Sequence, residues 1–152
     1  MSTRNVIAAR LAAGLMTFGI ALGGCGGGGA ASPATCVPAD PEIVDMIQGV
    51  LAAYPEIGET LAGGAQQIAV SETRLDGAVE YRVLVAGRLE PSGQIGVWAG
   101  AYNTTQDVLM GSQPANEAAL ASMPEVIGPA LADELFRLGS SEAGNAVIAC
   151  VK

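Results

Sequence analysis

The sequence predicts an α+β domain: a four-stranded, mostly antiparallel sheet with two to four helices packed on it. Three observations predict it. A proline-started segment after residue 40 carries apolar residues at helical spacing. Three segments between residues 66 and 102 alternate with a period of two and are joined by short turns. Alanine- and leucine-rich stretches return after residue 113.

The chain opens with Arg4 and Arg10, has no acidic residue before Asp40, and is apolar from Leu11 to Leu22. As a helix that run would reach about 18 Å, well short of a bilayer core of about 30 Å. A basic start, a short apolar centre and small residues behind it have the make-up of a secretory signal peptide, so residues 1–24 are set aside from the fold. Leu22-Gly23-Gly24-Cys25 then resembles the lipobox of bacterial lipoprotein signal peptides, with an apolar residue three before the cysteine and small residues between. The resemblance implies that Cys25 receives a diacylglyceryl group and becomes the mature N-terminus. Its partner is then the lipid bilayer, and its place is the extracytoplasmic face of the cell envelope. The alternative is ordinary secretory cleavage further on, for instance after Ala34, which discards Cys25. The glycines after Cys25 lack the Lys and the Ser or Thr of a phosphate loop. Residues 25–35 read instead as a flexible tether.

Residues 36–152 are enough for one domain and too few for two ordinary ones. Beyond residue 24 there are fifteen acidic and five basic residues, a net charge of −10. Nucleic acid and anionic headgroups would repel such a surface, so nucleic-acid binding is set aside. Cys36 and Cys150 bracket the domain, and in an oxidising compartment they are expected to form a disulfide. Two free thiols or a two-cysteine metal site are the alternatives, and the chain has no histidine to complete the latter.

Asp40-Pro41 is a helix start, an N-cap side chain followed by proline in the first turn. Ile43, Met46, Ile47, Val50, Leu51 and Tyr54 make one apolar stripe, and Pro55 ends it. "PEIGETLAGG" could add a further turn. "QQIAVSETR", "AVEYRVLVAGRL" and "QIGVWAGAY" read as strands. A two-residue turn at Asp76-Gly77 would pair Val70 with Val83, Ile68 with Val85, Ser71 with Arg82 and Thr73 with Glu80. A four-residue turn at Glu90 to Gly93 sets Trp98 opposite Val85 and Tyr102 opposite Tyr81. Gly96 and Gly100 leave room for a buried indole whose N–H finds a backbone acceptor.

Residues 103–113 read as a polar loop. "PANEAALASM" and "GPALADELFRLG" read as helices, and "NAVIACV" reads as a fourth strand carrying Cys150. The mature pattern is similar to small lipoproteins of high-GC bacteria: lipobox, helix, antiparallel strands with an internal "VWA", and a cysteine near the end.

Chemistry is sparsely provided. Without histidine the usual triads are missing, and the one lysine is terminal Lys152. Ser140-Ser141 lacks the spacing of a nucleophile elbow. No catalytic or metal-ligating residue and no cofactor is assigned. One face of the strands carries Leu84, Ile95 and Val97 edged by Arg82 and Arg88, the candidate partner surface if helices leave it open. The expected function is a non-catalytic, membrane-tethered module for an envelope protein or small ligand. A small hydrolase using carboxylates, or an inhibitor of an envelope enzyme, are the alternatives.

Overall fold

The structure is a computed structural model that describes residues 35–76, 79–124 and 127–151, with residues 72–76 described by their backbone alone. The expected signal segment 1–24, Cys25 and the expected tether as far as residue 34 lie outside the described residues, as does Gly77 of the expected Asp76-Gly77 turn. Asp76 itself is not a turn residue but ends its strand opposite Val79.

Helix α1 (Pro41–Ala52) starts where its cap dictates. Asp40 accepts from the Glu42 amide at 2.9 Å, and Pro41 needs no hydrogen bond in the first turn. Ile43, Ile47 and Leu51 form its buried face. The residues after Pro55 make a turn closed by Gly58 at φ +70°, where a β-carbon is disfavoured.

The sheet is wider than expected. Strands β1 (Val37–Pro38), β3 (Gln66–Asp76), β4 (Val79–Glu90), β5 (Ile95–Asn103) and β6 (Val108–Pro114) lie side by side in that order, all antiparallel. A short β2 (Thr60–Leu61) pairs with the end of β4. Helices α2 (Glu117–Ser122), α3 (Pro129–Gly139) and α4 (Glu142–Val151) follow.

Two expected elements are corrected. The segment read as a loop folds back as β6 because Asn103 builds a turn: its side chain accepts from the Thr105 and Gln106 amides, and its carbonyl accepts from the Asp107 amide. "NAVIACV" is helix, not strand. Ser141 caps the segment by accepting from the Gly144 amide, and Gly144 and Val147 then face the core while Ala143, Ala146 and Ile148 pack partly against it. That spacing is helical.

Two apolar layers flank the sheet. On one side α1 and α2 pack Ile43, Ile47, Leu51, Ala119 and Met123 against Val85, Leu89 and Trp98. On the other, Leu135 of α3 and Val147 of α4 pack against Ile68, Leu84, Ala86, Val97 and Ala99.

The β4–β5 register follows from its turn: Val85 faces Trp98 and Arg88 faces Ile95. Nearer the far end an irregularity at Arg82 brings Ala101, not Tyr102, opposite Tyr81, and turns Tyr81 into the α3–α4 layer. The β3–β4 register differs by one residue. Ile68 faces Leu84 and Ala69 faces Val83, with Thr73 opposite Tyr81 and Arg74 opposite Glu80. Two irregularities in β3, between Ala69 and Thr73 and between Arg74 and Asp76, take up extra residues. A slip of one exchanges faces, so Ile68 and Val70 join the α3–α4 layer instead of the tryptophan layer.

Candidate functional site

The expected partner surface is not open. Leu84 and Val97 are fully buried and Ile95 is half-buried against the same layer. The physical reason is α4: folded as a helix, the C-terminal segment lies across β3 and β4 and covers the strip. Arg88 remains exposed beside the β4–β5 turn, where it donates to the Gly93 carbonyl at 3.0 Å.

Arg82 is carried to the other side by the irregularity in β4. Its guanidinium carbon lies 5.2 Å from the centre of the Tyr102 ring, a cation–π contact. Nε and Nη2 donate to Glu80 Oε2 at 3.2 and 3.1 Å, and Nη1 donates to the Asp107 carboxylate. The hydrogen bonds to Asp107 and then Glu80 hold the guanidinium above its ordinary value. Glu80 is almost wholly buried, so this network satisfies a carboxylate that would otherwise be costly in the sheet. It is a clamp at the β4–β6 end rather than an open anion site.

Burial, and secondarily the negative charge of Asp40, raise the Tyr102 phenol above its ordinary value. A raised phenol favours the folded state fully below about pH 10, the unfolded value, and that contribution disappears as pH rises through the folded value. Tyr102→Phe is therefore expected to flatten the loss of stability that sets in above about pH 10, read from urea midpoints.

Cys36, just before β1, and Cys150, in the last turn of α4, are joined by a disulfide with Cα atoms 6.6 Å apart. The bond therefore ties an edge strand to a helix.

A cleft of about 450 Å³ lies between the α3–α4 hairpin and the elbow that leads from β6 into α2. Asn116 builds the elbow. Its Oδ1 accepts from the Val97 amide at 3.0 Å and the Ala119 amide at 2.9 Å, and its Nδ2 donates to the Ile95 carbonyl at 2.9 Å. One side chain thus caps α2 and extends the pairing along β5. Asn116→Ala is expected to cost about 2 to 3 kcal/mol in chemical unfolding, since it removes a cap and strands two backbone groups.

Close approach forms the cleft's base. A β-carbon on Gly139 would fall on the Ala115 carbonyl, and one on Gly144 would fall on the Gly139 carbonyl. Buried Ala115 and Gly139 make the base, half-buried Phe136 and Ile148 the sides, and exposed Glu117, Asp133, Arg137, Ser140 and Asn145 the mouth. Arg137 is paired with Glu134 one turn earlier. A second hollow of about 310 Å³ lies between the start of α1 and residues 62–65.

Ser140 Oγ donates to the Arg137 carbonyl at 3.2 Å, so its proton is engaged with the helix backbone. Among the described residues no three His, Cys, Asp or Glu side chains converge to hold a metal. Sequence reasoning missed the cleft because its walls come from three helices and an elbow. The available signal was Asn116 three residues before Ala119, the spacing of an N-cap and the amide it receives. Comparison with protein-family models, curated proteins and solved structures finds no match to this chain.

Proposed function

We propose that this chain is a lipoprotein whose domain works as a non-catalytic binding module, tethered to a membrane of the cell envelope through acylated Cys25. The observation that carries the reading is the Cys36–Cys150 disulfide. Such bonds persist in oxidising compartments, which agrees with export by a leader of residues 1–24 that is cleaved before Cys25. The cleft at α2–α4 supports binding, because its volume lies within the range of small-molecule sites. Glu117 and Asp133 are both exposed at its mouth. A hydrolytic acid and base need contrasting environments to separate their roles, so binding is favoured over hydrolysis.

Mass spectrometry of the membrane-extracted protein should find a diacylglyceryl group on an N-terminal Cys25. Full-length Cys25→Ser should lack that group, and with its leader removed it should be found in the soluble fraction. If that variant, with its leader removed, stays with membranes, the tether is not at Cys25 and the reading fails.

A further inference from the structure

We propose that the Cys36–Cys150 bond is a reducible latch: a dithiol reductant that attacks Cys150 frees β1 while the rest of the domain stays folded. Apart from the bond, β1 has a slight hold on the sheet. Its two residues, Val37 and Pro38, are both exposed, and Pro38 has no N–H to give to β3. Just after them the Ala39 amide donates to the Ala65 carbonyl and the Asp40 amide to the Gln67 side chain, both at 2.9 Å. Helix α4 is held differently. Gly144 and Val147 are buried, and Ile148 and Val151 pack on the same layer. Opening the bond therefore releases the Cys36 side and leaves α4 packed through Val147.

Two features direct the attack to Cys150. It is exposed, whereas Cys36 is half-buried with its sulfur 3.7 Å from the Ala146 carbonyl oxygen. Cys150 also sits in the last turn of α4, at the negative end of the helix. A thiolate is disfavoured there, so Cys36 is the better leaving group. One thiolate of the reductant bonds to Cys150 Sγ as the Cys36–Cys150 bond breaks, and Cys36 leaves as a thiolate that takes up a proton. The second thiolate then closes on the reductant's own sulfur and expels Cys150. Two electrons pass to the protein's bond, and the dithiol becomes a disulfide. Pro38 and Ala39 wall the hollow of about 310 Å³ beside α1, so the opened form loses that wall. A further consequence rests on the tethered reading above: residues 36–39 join the tether and lengthen it by about 13 Å.

The test treats the full-length protein in neutral detergent with dithiothreitol and follows hydrogen exchange by mass spectrometry. Peptides covering residues 36–40 should exchange about tenfold faster after reduction, while those covering Leu84 to Ala99 stay protected. A brief exposure to 2-mercaptoethanol, quenched in acid, should place the mixed disulfide on Cys150. Cys36→Ser should show the fast exchange without reductant and no further change with it. The proposal is overturned if residues 36–40 exchange alike in both states, or if Leu84 to Ala99 lose protection together with them. It is equally overturned if the adduct forms on Cys36, if the bond yields to dithiothreitol only in denaturant, or if Cys36→Ser stays as protected as the oxidised parent. None of these results bears on membrane partition of Cys25→Ser, which tests the tether by itself.

Discussion

Trp98→Ala is expected to destabilise the domain by about 3 to 5 kcal/mol, the range for large aromatic truncations in a core. The indole is fully buried between the sheet and the α1–α2 layer. Its six-membered ring lies over Gly96 so closely that a β-carbon there would fall inside it. The expected acceptor for the indole N–H is not found: Trp98 Nε1 is buried with no hydrogen-bond partner among the described residues. An unpaired buried donor costs about 1 to 3 kcal/mol. Trp98→Phe removes that donor together with some volume, so it should cost clearly less than Trp98→Ala. Urea unfolding followed by circular dichroism reads both, since the chain has one tryptophan and its fluorescence is lost on substitution. A cost for Trp98→Ala below about 1 kcal/mol would sink the packing argument.

Breaking the disulfide is the second large effect. The joined cysteines are 114 residues apart, and closing so long a loop in the unfolded chain is worth up to about 5 kcal/mol in the chain-entropy model. The double variant Cys36→Ser, Cys150→Ser should lower the urea midpoint by a corresponding amount. A reductant should lower the parent's midpoint similarly and leave the double variant unchanged. Hydrogen exchange should rise first in β1 and the last turn of α4, the two segments the bond joins. An unchanged midpoint after reduction would show that the bond constrains nothing the fold does not already hold.

What the sequence makes legible is what local chemistry decides. Asp40-Pro41 announces α1 because cap and proline act within one turn, and the stripe of Ile43, Ile47 and Leu51 gives its buried side. The turn from Glu90 to Gly93 sets Val85 against Trp98, because a short connection allows few registers. The Cys36–Cys150 disulfide is legible from the placing of two cysteines at the two ends of the domain. The α+β class is legible too, though with a narrower sheet. The β3 register is not, since the irregularities between Ala69 and Thr73 and between Arg74 and Asp76 add unpaired residues that no turn or alternation signal in the sequence marks.

Strand β6 is hidden for a related reason. It is a sheet edge with Val108 and Met110 exposed, so it lacks the alternation of a half-buried strand. Its Met110 is an extra residue opposite β5, and such irregularities blunt edges. Helix α4 misleads because its Val147-Ile148 run is β-branched, and only the upstream Ser141 cap and the small residues around it reveal the longer period. The cleft inherits that error, being built on α4 and on Asn116.

The bond between Cys36 and Cys150 also decides how the domain carries mechanical load. In a chain held from its N-terminal side, tension enters the folded part at Cys36. Two residues of β1 pair with β3 beyond that point, a contact that pulling from one end would unzip one residue at a time. The disulfide diverts the pull past this weak edge into the last turn of α4. That helix packs on both β3 and β4, so the load passes into a buried apolar layer instead of a two-residue strand pairing. Pulled from that end, an oxidised domain keeps its sheet edge paired, whereas a reduced one starts to peel at Val37.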